Sequence, residues 1–252
     1  MALLWRYQQG DTLYEVKQAG QSVRLYSNGV LHSQFNPNRA VTGSVWDLLT
    51  LPALFLPPQQ IQRVLLLGVG GGAVLHQLKR WLAPQLMIGV ELNAVHLQVA
   101  KDYFQLNDRQ ILLYQDDAGA WLRRYQGPPF DLIIDDLYGH DQGEPVRAVA
   151  LDTSWCDLLC RHVAADGALV INTVAWRELK SAALMVEPCF AGEFTKAFRL
   201  VTPTCDNAIG AFFRQPVKKS DFNRRLQAMP ELVKADNAGL LRYQMRAINN
   251  RV

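Results

Sequence analysis

Cysteine is scarce in this chain, and its scarcity excludes most of what cysteine builds. Cys156, Cys160, Cys189 and Cys205 are too few for a disulfide framework and lack the paired spacing of a zinc site. Cys156 and Cys160 lie four apart, on one helical face, and read as two small buried side chains rather than a redox pair. His32, His76, His96 and His162 show no metal spacing, so no metal is expected. No apolar run approaches the ~18 residues of a membrane span, and no membrane association is expected. The opening MALLWRYQQGDTLYE has no basic start and no apolar stretch leading to a cleavage site, which predicts a cytoplasmic protein. Net charge is only +3 and no long basic run occurs, so no nucleic-acid partner is expected. The densest basic cluster, RQPVKKSDFNRR, reads as a solvated helix start. No serine or cysteine sits in a nucleophile elbow, and no internal repeat is visible.

What the chain does have is apolar residues in two textures. They make up 49% of 252 residues, enough for a sizeable α/β core. Up to about residue 40 the pattern alternates and turns: TLYEVKQ, SVRLYS and VLHSQF, with Asn28-Gly29, a strong hairpin signal, between the last two. A small antiparallel β unit is predicted. GSVWDLLTLPALFLPP follows as a helix capped by Thr42 or Ser44 and stopped by Pro-Pro.

From residue 61 strands and helices alternate. The strands are IQRVLLLG, LMIGVEL, QILLYQ and FDLIIDD; the helices AVLHQLKRWL, AVHLQVAKDYF, AGAWLRRY and a long VRAVALDTSWCDLLCRHV. After an Asp166-Gly167 turn comes ALVINTV. Continuous apolar strands with helices between them imply a mostly parallel sheet covered on both faces. FTKAFRLVT and NAIGAFFR are joined by too short a loop for a helix and must pair antiparallel. The segment DFNRRLQAMPELVKADNAGLLRYQMRAINN is predicted to form two amphipathic helices. The expected division is residues 1–58 (β-hairpin unit and connecting helix), 59–216 (Rossmann-like nucleoside-binding catalytic domain) and 217–252 (helices packing on that domain or on a partner subunit).

The stretch VLLLGVGGGAV (64–74) is built to let a ligand lie against bare backbone. Gly68, Gly70 and Ala73 satisfy the dinucleotide fingerprint, and Glu91 ends the next strand where a ribose-binding acid belongs. An NAD reading is therefore open, but the same physics serves any adenosine ligand. Asp116 and Asp117 follow the third strand, and Asp135 and Asp136 the fourth. Ligands of open α/β sheets bind at those carboxyl ends, so Gly68, Gly70, Gly71, Gly72, Glu91, Asp116, Asp117, Ala118 and the Asp135-Asp136 pair should converge on one crevice.

These residues carry a resemblance to the spermidine synthase family, aminopropyltransferases on the class I methyltransferase fold. It covers nearly the whole chain, from LYSNGVLHSQF and VWDLL into the sheet domain. Where the family has a GGGDGG-like loop, an acid ending strand two, a GDA-like turn and a catalytic aspartate, this chain reads GVGGGA, Glu91, DDA and Asp136. The resemblance implies a class I methyltransferase-like α/β sheet behind the β unit. It implies a site for S-adenosylmethionine, its decarboxylated form or methylthioadenosine. Glu91 would take the ribose, Asp117 the adenine, and Asp136 would deprotonate an attacking amine. Asp47, Trp46, Tyr138 and Asp135 are acceptor-side candidates, and a homodimer is expected.

Departures from the family are specific. Gly71 stands where the family's loop acid holds the donor's ammonium, and Leu66 stands where methyltransferases often place an acid. The family's Tyr-(His/Gln)-Glu reads Val45-Trp46-Asp47, and its acceptor-side glutamine reads His32. The loop after the catalytic strand reads DDLYGHDQGEP, with Asp141 and Glu144 in place of the family pattern. Aminopropyl transfer, methyl transfer to an unknown acceptor, and adenosyl-ligand binding without catalysis are the three readings the sequence carries.

Overall fold

The structure, a computed structural model, describes the backbone of residues 1–141 and 144–248, and their side chains except at 140, 141, 144 and 145. The N-terminal texture forms an antiparallel sheet of four consecutive strands: β1 (Ala2–Gln9), β2 (Thr12–Ala19), β3 (Ser22–Ser27) and β4 (Val30–Phe35). β1 adds a strand ahead of the three read from the sequence. Asn28-Gly29 closes β3 onto β4 with φ of +48° and +81°, the twist that a two-residue hairpin needs. A Cβ at Gly29 would meet nothing, so Gly29→Ala carries only the backbone cost of a left-handed residue. Urea unfolding should show a loss of roughly 1–2 kcal/mol.

Helix α1 (Val45–Thr50) is short because Pro52 has no N–H with which to continue the ladder, and a 3-10 turn (Leu51–Phe55) completes it. Ser44 occupies the N-cap position but its side chain caps nothing. Asp47 reaches back instead and accepts from the Thr42 and Gly43 N–H groups.

The alternating region then runs β5 (Arg63–Leu67), α2 (Ala73–Leu82), β6 (Leu86–Glu91), α3 (Ala94–Asp102), β7 (Ile111–Gln115), α4 (Ala118–Arg124) and β8 (Phe130–Asp135). A two-stranded ribbon, β9 (Tyr138–Asp141) and β10 (Glu144–Arg147), precedes α5 (Thr153–His162) and β11 (Val163–Thr173). There follow α6 (Trp176–Ser181), α7 (Ala183–Val186), β12 (Lys196–Thr202), β13 (Cys205–Phe213), α8 (Lys219–Gln227), α9 (Pro230–Asn237) and β14 (Gln244–Ile248). The main sheet has the order β14-β12-β13-β11-β8-β5-β6-β7. Pairing is parallel from β11 through β7, and β13 inserts antiparallel between β11 and β12.

Period-two burial explains why the strands are apolar throughout. Val64 and Leu66 pack with Leu48, Leu78 and Phe222 on one face; Leu65 and Leu67 pack with Trp121, Trp155 and Leu159 on the other. Cys156 and Cys160 lie buried in the second face as free thiols, and burial pushes the Cys156 thiol up to about 11. A third core of Val16, Leu25, Val99 and Phe104 seats the N-terminal sheet on α3.

Three local expectations are corrected. The helix expected over 146–163 begins only at Thr153, because Glu144–Arg147 pairs back on Tyr138–Asp141. The turn expected at Asp166-Gly167 is an irregularity within a continuous β11. The two C-terminal helices are α8 and α9, and the apolar residues that follow form β14, an edge strand pairing antiparallel with β12. Met245 and Ile248, three apart, fall on opposite faces of the strand and pack against different cores, and a five-residue segment carries too little periodicity to separate the two states. Among the described residues no helix is long and apolar enough to cross a membrane.

Candidate active site

The carboxyl ends of β5, β6 and β8 meet under the N-terminal sheet, and the glycine loop lies at their centre. After β8 the chain crosses directly over the loop: the Asp136 N–H donates to the Leu67 carbonyl at 2.8 Å. A Cβ on Gly68, whose φ is +85°, would sit 2.2 Å from the Asp136 carbonyl oxygen. One on Gly70 (φ +53°) would sit 2.8 Å from the His32 carbonyl oxygen of β4. Gly71 and Gly72 are small for another reason. A Cβ there would strike Phe104 and Leu106, at 2.7 Å and 2.6 Å, so these two serve packing behind the loop. Of the four glycines, Gly68 and Gly70 line the crevice.

Glu91 ends β6 with its carboxylate turned back onto the loop. One oxygen accepts from the Val69 and Gly70 N–H groups at 3.0 and 2.9 Å, and the other from the Asn93 N–H at 2.9 Å. His96 Nδ1 stands 3.9 Å away, while its Nε2 contacts Ser27 Oγ at 3.0 Å. Burial alone would raise the pKa of Glu91, but these donors outweigh it and hold the carboxyl below the usual glutamate range. It is therefore an ionised acceptor facing the crevice. Asn93 also donates to Tyr14 Oη at 2.7 Å, a second tie to the N-terminal sheet.

Asp135 and Asp136 are adjacent and have opposite fates. Asp135 is fully buried, paired with Arg147 at 2.8 Å and accepting from Trp155 Nε1 at 2.8 Å. It holds the β9–β10 ribbon to the sheet and lies away from the cavity, which corrects its reading as an acceptor-side residue. Asp136 faces the crevice. Asn172 Nδ2 of β11 donates to its Oδ1 at 2.7 Å, and Asn207 Nδ2 of β13 donates to Asn172 Oδ1 at 2.9 Å. Burial, reinforced by the neighbouring Asp135 and Glu91 charges, pushes its pKa up to about 7 against the Asn172 hydrogen bond. A carboxylate so poised can take a proton near neutral pH.

The crevice has two halves. One, of about 420 Å³, is lined by Glu91, Asn93, Tyr14, Ser27 and Gln115. The other, of about 270 Å³, is lined by Gly68, Gly70, Asp136, Trp46, Asn172 and Asn207. His32, His96, Tyr138 and Gly139 border both. Burial raises the pKa of the Tyr138 hydroxyl, keeping it neutral.

Other expected residues are placed elsewhere. Asp47 is buried and accepts from Thr42, Gly43 and Gln77, so it braces α1 and lines neither half. Asp117 caps α4 through Ala120 N–H at 2.8 Å, and Asp116 pairs with Arg124 on the surface. After β7 it is Gln115, not either aspartate or the buried Ala118, that borders the crevice. The side chains of Asp141 and Glu144 lie outside the described residues. Among the described residues no three His, Cys, Asp or Glu side chains are grouped to hold a metal.

Sequence reasoning missed Asn172 and Asn207. Asn172 was signalled as the one amide in the apolar run ALVINTV: a buried amide on a central strand must find a partner. Asn207 carried no such mark. Its partners, Asn172 and Tyr138, come from β11 and β9, which only the tertiary fold brings beside it.

This strand order with an antiparallel penultimate strand defines a class I methyltransferase-fold protein preceded by an antiparallel sheet. More particularly, the chain is similar in fold to spermidine synthases and, over part of its length, in sequence to a polyamine aminopropyltransferase. A polyamine aminopropyltransferase 2 of Caldanaerobacter subterraneus subsp. tengcongensis is 27% identical over 106 residues, 41% of this chain and 35% of that protein. The matched stretch thus spans about a third of the length of that curated relative. A probable spermidine synthase of Corynebacterium glutamicum superposes with TM-score 0.73 at 16% identity, covering 98% of this chain and 91% of that one. A spermidine synthase in complex with the transition-state analogue AdoDATO gives 0.63 at 12% identity (95% and 88% covered). Human methyltransferase-like protein 13 in complex with SAH gives 0.62 at 15% (75% and 92% covered). No protein-family profile matches the chain.

Proposed function

We propose that the chain is a transferase that binds an adenosyl sulfonium donor and moves its alkyl group, by resemblance an aminopropyl group, to an amine. The observation that carries this reading is Asp136: a half-buried carboxylate with its pKa near 7, facing the cavity beside the glycine loop and held by an amide chain from two strands. The relatives' activity, and the AdoDATO bound by one neighbour, point the same way.

Each residue has a task in such a reaction. Glu91, ionised and fixed by the loop's own N–H groups, accepts from ribose hydroxyls. Gly68 and Gly70 keep the loop bare. Asp136 takes one proton from the acceptor's ammonium, leaving a neutral amine. The amine nitrogen forms a bond to the carbon beside the sulfonium, the carbon–sulfur bond breaks, and sulfur keeps the electron pair. The products are a secondary ammonium, a neutral thioether and protonated Asp136, which returns its proton to solvent. The crevice supplies alignment.

Calorimetric titration with S-adenosylmethionine, its decarboxylated form, methylthioadenosine and NAD, with amine turnover followed by mass spectrometry, tests this. Binding of decarboxylated donor together with alkylated amine supports it; the absence of any adenosyl binding removes it. Methyl transfer is the second reading, favoured by the likeness to methyltransferase-like protein 13. Binding of S-adenosylmethionine without transfer to any amine selects it.

Two further outcomes are expected. Glu91→Gln removes a charged acceptor and leaves an amide N–H against two loop donors. Methylthioadenosine affinity should fall about ten- to hundredfold, the scale of a charge-assisted hydrogen bond of roughly 1.5–3 kcal/mol. The rate of transfer should rise with pH through about 7 as Asp136 loses its proton. A flat profile between about pH 5.5 and 8.5 would remove Asp136 as the base.

A further inference from the structure

We infer that the acceptor is a primary amine bearing a single positive charge on an apolar or neutral body, and not a chain of cations. The inference rests on the alkyl-transfer reading above and names the substrate class of the same site. A polyamine needs several carboxylates spaced along its path. Among the described residues lining the Asp136 half of the crevice, Asp136 is the one carboxylate. Beside His32, His96, Tyr138 and Cys205, that wall carries apolar side chains (Val30, Leu31, Val45, Trp46) and neutral polar ones (Ser44, Asn172, Asn207).

Four acids near this half are committed elsewhere. Asp47 points away to Thr42, Gly43 and Gln77, and Asp135 is held by Arg147 and Trp155. Glu178 accepts from the Val174 N–H. Glu91 lines the other half, where it is assigned to the donor's ribose. A second ammonium entering the half-cavity gives up its water against Trp46, Val45 and Leu31 without meeting an anion, and an unpaired charge pays heavily for that desolvation. A methyl group in the same place gains from burial.

Pentylamine and cadaverine differ by that one terminal group. The protein loaded with methylthioadenosine is titrated with each by calorimetry at about pH 8. Pentylamine is expected to bind at least tenfold more tightly; equal or tighter binding of cadaverine overturns the inference and leaves the alkyl-transfer reading standing. Asp136→Asn is expected to weaken pentylamine at least tenfold; unchanged affinity puts the amine elsewhere and also overturns it. Failure of methylthioadenosine itself to bind removes the alkyl-transfer reading, and the inference falls with it.

Discussion

Asp136→Asn is expected to lower transfer by about 10²- to 10⁴-fold, the usual worth of a positioned general base. Methylthioadenosine affinity should change little, because Glu91 and the glycine loop do not depend on Asp136 for charge. Asparagine keeps the shape and still meets Asn172, but it cannot take a proton. Single-turnover rates with donor preloaded separate this from a binding defect; a rate within threefold of wild type would dismiss Asp136 as base. The same variant has an opposite signature in stability. The Asp136 pKa is about 7 when folded against about 3.8 in the free side chain. Between those values the folded state holds a proton that the unfolded state has released. Wild-type stability therefore falls as pH rises from about 4 to about 7. Asparagine escapes that loss, so the variant should be more stable than wild type at about pH 8, and the gap should shrink toward pH 4. Paired urea titrations at the two pH values read the difference directly.

Arg147→Met is expected to be the most damaging single change to the fold near the site. The Arg147 and Asp135 side chains are 3% and 0% exposed, so removing one strands the other's charge. The substitution also takes donors from the Asn172 and Val149 carbonyls. A loss of about 3–5 kcal/mol is the scale for breaking a buried pair from one side. The double variant Arg147→Met with Asp135→Leu removes both charges and should recover part of that loss, the remainder being the hydrogen bonds of Trp155, Asn172 and Val149. If the double variant is no better than the single one, the ion pair is not the cause. Because Arg147 also fixes the backbone of Asn172, the single variant should blunt the pH profile of transfer as well.

Much of this was legible because it is local. The hairpin at Asn28-Gly29 needs only two residues that tolerate positive φ. The alternation of buried strands with amphipathic helices implies a covered parallel sheet, and the short link from Thr202 to Cys205 forces antiparallel pairing. The carboxyl ends of those strands then name Gly68, Gly70, Glu91 and Asp136 as crevice residues before any distance is known. The same logic could not choose between neighbours. Asp135 and Asp136 differ by one position on a strand, which sends their side chains to opposite faces. Which face holds Arg147 and Trp155 depends on how β10 and α5 pack.

The sequence by itself determined the class of sheet, the antiparallel unit ahead of it, and a glycine loop with acids at neighbouring strand ends, because periodicity and turn chemistry act over a few residues. Only the tertiary structure decided which acids remain for chemistry. Asp47 went to Thr42 and Gln77, Asp117 to its own helix, and Asp135 to Arg147. It likewise decided that Gly71 and Gly72 make room for Phe104 and Leu106. The physical reason is common to all of them: a buried carboxylate is spent on the nearest donor, and a missing Cβ is filled by the nearest side chain. Such neighbours come from segments far apart in the chain.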